Sequence, residues 1–391
     1  MTQGGKPAGR KTHQRCQRRA IAAALLLMVA LVWAGCSRFS YKKAADPLLP
    51  LWPQLGGGPS RNASCGAAPL LPLRMEWQKQ ASGPVQPVLL GLGNWILFTT
   101  GEGRIEGFDL RSGKGLGRTI GRSATTMTCA AGDSGLVIVR RIRRDNLLFY
   151  DLRRGRVRWK TSIGPVLGEP LIVGERLYLA TLRGRLVCLD LADGRLLAEA
   201  RLPHDCVATP AMADSVLAVG DDQGVLHAFD PQLRPLWEFA TGAAVRAPAI
   251  AHAGTFFIGS TSGRFSAIDI RSGAERWRFT SSGKILHAAA AADSVVVLAA
   301  SDTRVCGLDT RDGRLLWQTE LGAVPAAAPL ICGPTLFLAG ADKKLRALGL
   351  TEGRELWSFT ARGRISTPPM VLGNRLFLAC ENGTLYSFFW R

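Results

Sequence analysis

The sequence predicts an all-β chain that closes into an eight-bladed β-propeller of four-stranded antiparallel blades, and three observations lead there. A phrase recurs at steps of 39 to 42 residues: an alternating apolar run, Asp, two or three residues, Gly, often Lys or Arg, then Trp. A Pro opens an apolar segment about twenty residues before most of these anchors, at Pro87, Pro170, Pro210, Pro248, Pro329 and Pro369. No helical period of 3.6 competes anywhere after residue 36. A four-stranded unit repeated near forty residues in an all-β chain builds a radial ring.

Each repeat reads as four strands. Strand A follows the Pro, strands B and C follow as two short β-rich runs, and strand D carries the Trp. The anchors are Asp109, Asp151, Asp190, Asp230, Asp269 and Asp309; the next repeat has Gly349 instead, and Phe388-Phe389 ends the last. Each Asp is expected to accept hydrogen bonds from backbone N–H groups two or three residues on, while the Gly takes the positive φ of a tight C–D turn. Trp159, Trp237, Trp277, Trp317 and Trp357 are then expected to pack between adjacent sheets. Trp77 marks a lone strand D before the first complete repeat, whereas the chain ends on a strand C. The two termini are therefore expected to share one blade, which closes the ring and removes open edges. The propeller is expected over 74–391.

The segment before it is of another kind. Lys6, Arg10, Lys11, Arg15, Arg18 and Arg19 precede an apolar run, Ala20–Ala34, that is short for a transmembrane helix and reads as the core of a signal peptide over 1–35. Arg18-Arg19 lacks the neighbours of a twin-arginine signal. Val32-Trp33-Ala34-Gly35-Cys36-Ser37 resembles a bacterial lipobox, with Trp33 where an aliphatic residue is usual. That resemblance implies a lipid on Cys36, and Ser37 after it implies outer-membrane sorting; an uncleaved anchor and plain secretion are the alternatives. Residues 36–73, rich in Pro and Gly and without periodicity, are expected to form a tether. Cys65, alone between Ser37 and Leu73, is the cysteine expected to pair between molecules.

The formal charge of +19 falls to +13 once the six basic residues before Cys36 are set aside. Arg140, Arg141, Arg143 and Arg144 crowd one B–C turn, Arg183 and Arg185 flank the next, and Asp221-Asp222 follow. Together with Arg246 on a D–A connection, they are the candidates for binding a charged protein partner. Other basic residues recur at the C–D turns, a scattered ring without the interleaved aromatics that nucleic acid would need. His204, His227, His252 and His287 stand singly, no Cys-x-x-Cys occurs, and there is neither a nucleophile elbow nor a phosphate loop. No catalytic residue, metal ligand or cofactor site is predicted.

The phrase Leu-x-x-Leu-Asp-x-x-x-Gly-Arg-x-x-Trp resembles the pyrroloquinoline-quinone (PQQ)-like repeat over roughly 52–391. Eight such repeats behind a lipoprotein-type signal resemble the BamB family of propeller lipoproteins, as does the ending Glu381-Asn382-Gly383-Thr384-Leu385-Tyr386-Ser387. Trp52-Pro53-Gln54 with Gly56-Gly57-Gly58 is more typical of PQQ-like propellers in general. The BamB resemblance implies a non-enzymatic periplasmic scaffold of the outer-membrane β-barrel assembly machinery, a monomer within a complex, with BamA among its envelope partners. Quinoprotein dehydrogenases resemble the chain in fold, but those with an adjacent cysteine pair against the cofactor differ from it, because none of its nine cysteines are adjacent. The alternative is a PQQ-like propeller that binds a small molecule or quinone in its central channel as a sensor or redox protein.

Overall fold

The computed structural model describes Met1, 52–118, 125–131, 135–140 and 145–391, with the side chains of 118 and 125–131 left out. The chain divides into two compact units, Met1–Arg38 and Phe39–Arg391, and the second contains everything described below. The expected signal beyond Met1, and Cys36, lie outside the described residues.

The described elements are all β, arranged as eight sheets of four strands, one of which gains a short fifth strand. Blade 1 is Val85–Leu92, Trp95–Thr100, Ile105–Asp109 and Gly115–Arg118; blade 2 is Thr125–Ala131, Gly135–Arg140, Leu147–Asp151 and Arg156–Thr161. Blade 3 is Leu171–Val173, Arg176–Ala180, Arg185–Asp190 and Leu196–Arg201; blade 4 is Ala211–Ala213, Val216–Gly220, Val225–Phe229 and Pro235–Ala240. Blade 5 is Ile250–His252, Thr255–Gly259, Arg264–Asp269 and Glu275–Thr280; blade 6 is Ala290–Ala292, Val295–Ala299, Arg304–Asp309 and Leu315–Glu320. Blade 7 is Leu330–Cys332, Thr335–Ala339, Lys344–Gly349 and Glu355–Thr360.

Blade 8 joins the two ends of the chain. Its strands A to C are Met370–Leu372, Arg375–Ala379 and Thr384–Phe389, and its strand D is Arg74–Gln80, paired antiparallel from Arg74 opposite Phe389 to Gln80 opposite Thr384. The Arg375 guanidinium grips both oxygens of Glu76 at 2.7 Å across this closure.

Strands B and C are buried almost throughout because each lies inside its blade and both its faces meet a neighbouring blade. Between blades 2 and 3, for example, Val137, Leu147 and Phe149 pack with Leu177, Leu179 and Val187. Strands A of adjacent blades approach one another and so line the axis, while strands D form the outer rim, with Leu196, Leu236, Leu315 and Leu356 exposed. Since strand direction alternates, the D–A and B–C connections share one face of the ring and the A–B and C–D turns share the other.

The structure corrects the expected tether over 52–73. Residues 52–65 wind along the inner edges of strands A and close the A–B end of the channel. Trp52 exchanges two backbone hydrogen bonds with Gly91 of blade 1, and the Gln54 amide pairs with the backbone of Ile172 in blade 3. The carbonyls of Pro59 and Ser60 accept from Met212 in blade 4 and Ala251 in blade 5. The Asn62 side chain pairs with Ala291 in blade 6, and Ser64–Cys65 adds a parallel strand to blade 7. The physical reason is that innermost strands offer unpaired N–H and C=O groups, and a glycine-rich segment can follow them closely. Gly57 shows the closeness: a Cβ there would stand 3.2 Å from the Trp52 ring. Cys65 is likewise corrected, since it forms an intramolecular disulfide with Cys332.

Candidate functional site

The turn anchors share one geometry. Asp109 Oδ1 accepts from the backbone N–H of Arg111 and Ser112 and from the Ser112 hydroxyl, and Asp269 repeats this with Arg271 and Ser272. Asp151 accepts from Arg154, Asp190 from Ala192, Asp230 from Gln232 and Arg234, and Asp309 from Arg311. The Arg276 guanidinium, together with the Ser272 and Arg271 donors, holds the Asp269 carboxyl well below the usual range. Carboxylates committed in this way hold the turns.

The tryptophans bridge blades. The indole N–H of Trp77, Trp159, Trp237, Trp277 and Trp317 donates to the carbonyl of Leu110, Leu191, Ile270, Thr310 and Leu350 respectively, each in the C–D turn of the following blade, at 2.7 to 3.0 Å. Each ring lies over that turn's glycine; a Cβ on Gly313 would come within 2.5 Å of Trp277. The glycine is thus required twice, for its φ of 73° and for the room it leaves the indole. Trp357 meets no following turn and packs edge-on against Phe388.

Among the candidate partner-binding residues, Arg141, Arg143 and Arg144 lie outside the described residues. Arg140 ends strand B of blade 2, with its backbone N–H bonded to Asn146. Arg183 is exposed on the same face in blade 3. Arg185 is half-buried and engaged within its own blade by both oxygens of Glu199 at 2.8 Å. Arg246 is exposed on the D–A connection of blade 5. The acidic spot next to them is smaller than its sequence suggests, because Asp221 is wholly buried. It accepts from the backbone N–H of Gln223 and Val225 and meets His227 Nε2 at 2.9 Å, while Glu238 meets His227 Nδ1 at 2.9 Å.

The channel opens on this face. A cavity of ≈ 270 Å³ lies among the D–A connections, with Arg246, Glu169, His287 and Ser366 among its lining and Leu55 contributed by the inner segment. The largest fully buried side chain of that segment is Arg61, at 1% exposure. Its guanidinium donates to the carbonyls of Leu55, Pro170 and Pro210 at 2.8 to 3.1 Å. Sequence reading missed this segment, for which Trp52, the glycine triplet and an arginine in an otherwise uncharged stretch were the available signals. Burial depresses the His287 imidazole pKa, while its hydrogen bond to Pro325 works the other way. Burial pushes the Cys206 thiol up to about 12 and those of Cys306 and Cys380 to about 11, so these cysteines are poor nucleophiles. Among the described residues, no group of three or more His, Cys, Asp or Glu could hold a metal ion.

Comparison with known proteins agrees with this architecture. The BamB of Escherichia coli K12 is 34% identical over 83 residues, a segment covering 21% of this chain and 21% of that protein, and the Yersinia pestis BamB is 35% identical over a segment of the same length. The chain thus spans about a fifth of the length of these curated relatives. The crystal structure of Moraxella catarrhalis BamB superposes with a TM-score of 0.70 at 18% identity, covering 81% of this chain and all of that one. The quinohemoprotein alcohol dehydrogenase of Comamonas testosteroni superposes at 0.73 with 12% identity, covering 87% of this chain and 80% of that one, and shares the fold. The family described as "Outer membrane protein assembly factor BamB" matches residues 101–194, 143–243, 222–333 and 324–388, well over half of the chain, and the chain belongs to that family.

Proposed function

We propose that the chain is a non-enzymatic scaffold of the bacterial cell envelope, tethered to the outer membrane through a lipid on Cys36, facing the periplasm and docking envelope proteins through the D–A and B–C face. BamA of the barrel-assembly machinery is the foremost partner, and the chain acts as a monomer within that complex. The observation that carries this reading is the family match across the ring. It is supported by the commitment of the anchor carboxylates to turns and the burial of the remaining described thiols. The exposed Arg183 and Arg246 supply fixed charge on the docking face, and the Arg-rich turn at 140–144 belongs to the same proposal.

Recovery of the tagged chain from cross-linked envelopes is the test. BamA is expected in the eluate, and reversal at Arg183 and Arg246 (Arg→Glu) should reduce its yield by roughly tenfold, the scale of one rim charge pair or two. Reproducible absence of BamA, together with a quinone-like absorbance in the purified protein, overturns the reading in favour of a ligand in the central channel.

A further inference from the structure

The outer rim of blade 2 carries a charged feature that partner docking on the D–A face leaves unused. Arg153, Arg154, Arg156, Arg158 and Lys160 fall within eight residues, all exposed, with Val157 exposed among them. Arg156 opens the outermost strand opposite Asp151, a β-bulge between Val157 and Trp159 leaves Arg158 without a partner in the ladder, and Lys160 stands opposite Leu148, while Trp159 enters the seam with blade 3. Among the described residues, Asp151 and Asp145 pair with two of these five cations, and Arg153 has an interaction of its own. Asp151 is held by the turn and lies 3.9 Å from Arg154. Asp145 bonds Lys160 at 2.5 Å, and that bond holds its carboxyl below the usual range. Among the described residues no carboxylate lies within ion-pair distance of Arg156 or Arg158, and Arg158 sits over the Phe149 ring. A row of exposed cations in which the Arg156 and Arg158 guanidiniums have no such carboxylate suits phosphate, which a planar fork binds through two hydrogen bonds at once.

The position of the row says which phosphates. The C–D turn that begins it lies on the A–B and C–D face, the end of the channel closed by residues 52–65. Trp52, where the described part of the chain resumes, pairs there with strand A of blade 1, which adjoins blade 2. The 51 residues before that point include the apolar run Ala20–Ala34 and Cys36. We propose that the basic rim of blade 2 docks against an anionic lipid surface, so that the ring lies on the membrane by its A–B and C–D face and outer edge and keeps the D–A face free. This rests on the anchoring part of the function proposed above.

The test uses the full chain as Cys36→Ser, floated with vesicles of phosphatidylcholine alone or with one-third phosphatidylglycerol. Partition onto the anionic vesicles is expected to exceed that onto the neutral ones at low salt, and the excess should collapse at high salt. With about fivefold per basic residue near such a surface, the triple variant Arg154→Gln, Arg156→Gln, Arg158→Gln should cut the excess by at least about tenfold. Lys284→Gln, Arg362→Gln and Arg364→Gln, on the opposite face, should leave it unchanged. An excess untouched by the blade 2 variant, or lost equally in both variants, overturns the proposal and leaves an acidic protein surface as the other use of the row. Failure of the anchoring reading shows separately, as equal binding of the native and Cys36→Ser chains to neutral vesicles.

Discussion

Two seams of the ring do the same job with different residues. Between blades 5 and 6, Trp277 fills the gap, its indole N–H bonds Thr310, and Gly313 keeps its space clear. Between blades 3 and 4 the corresponding strand D residue is Ala198, and the turn position is Leu233, buried at a φ of 62°. The Leu233 side chain, packed with Tyr178 and Cys188, takes the room that the missing indole leaves. The lost N–H is replaced as well: the Tyr178 hydroxyl and the Arg176 guanidinium both donate to Pro231, whose carbonyl occupies the place of Thr310. Both of these seams supply volume and a donor to the turn carbonyl, and the identity of the donor differs between them. What the swap costs is a leucine in the left-handed region, about 1–2 kcal/mol.

The sharpest break in this symmetry is Trp277→Ala. It removes the indole and its hydrogen bond without any leucine to refill the space, and a loss of about 3–5 kcal/mol is expected in denaturant unfolding. Leu233→Gly is expected to cost less, about 1–4 kcal/mol, because the cavity it opens is partly offset by relief of the positive φ. Adding Ala198→Trp to that variant should then recover about 1–3 kcal/mol, a coupling measurable by a double-mutant cycle. Additivity of the two substitutions would show that the seams are not interchangeable. The smallest effect concerns the turns. Because the folded-state pKa of Asp269 lies below its ordinary value of 3.8, its stabilisation is complete above that pH and is lost as pH falls further toward the folded value. Asp269→Asn should lower stability at neutral pH and flatten the acid limb of the stability profile below about pH 4, leaving the neutral-to-alkaline limb parallel to that of the native chain.

These seams also show why some of the ring was legible and some was not. The phrase from Asp269 to Trp277 announces its turn and its strand because both depend on neighbours a few residues away. Leu233 in the same place reads as an irregular repeat, since its partners Tyr178 and Cys188 stand more than forty residues upstream. On the D–A and B–C face, Arg183 and Arg246 were visible as charges on connections, but the engagement of Arg185 by Glu199 and the burial of Asp221 depend on pairings across strands. The basic rim of blade 2 lay in plain view as five cations in eight residues. Its place on the outermost strand of the blade next to blade 1, with which Trp52 pairs, is decided by the ring.

The sequence by itself determined the blade, its repetition and the closure by the two termini. Alternation, turn residues and the forty-residue period are local properties, and eight copies of a unit that cannot bury its own faces must stack. Tertiary structure alone decided the fate of residues 52–65. Their glycines and prolines announce no element, and their hydrogen bonds are made one or two at a time to strands A spread around the ring. Arg61 is buried because the carbonyls of Pro170 and Pro210 converge on it, and Cys65 finds Cys332 across a sequence separation of 267 residues. Such contacts exist only once the ring has formed, since they are made to edges that separate stretches of chain bring together.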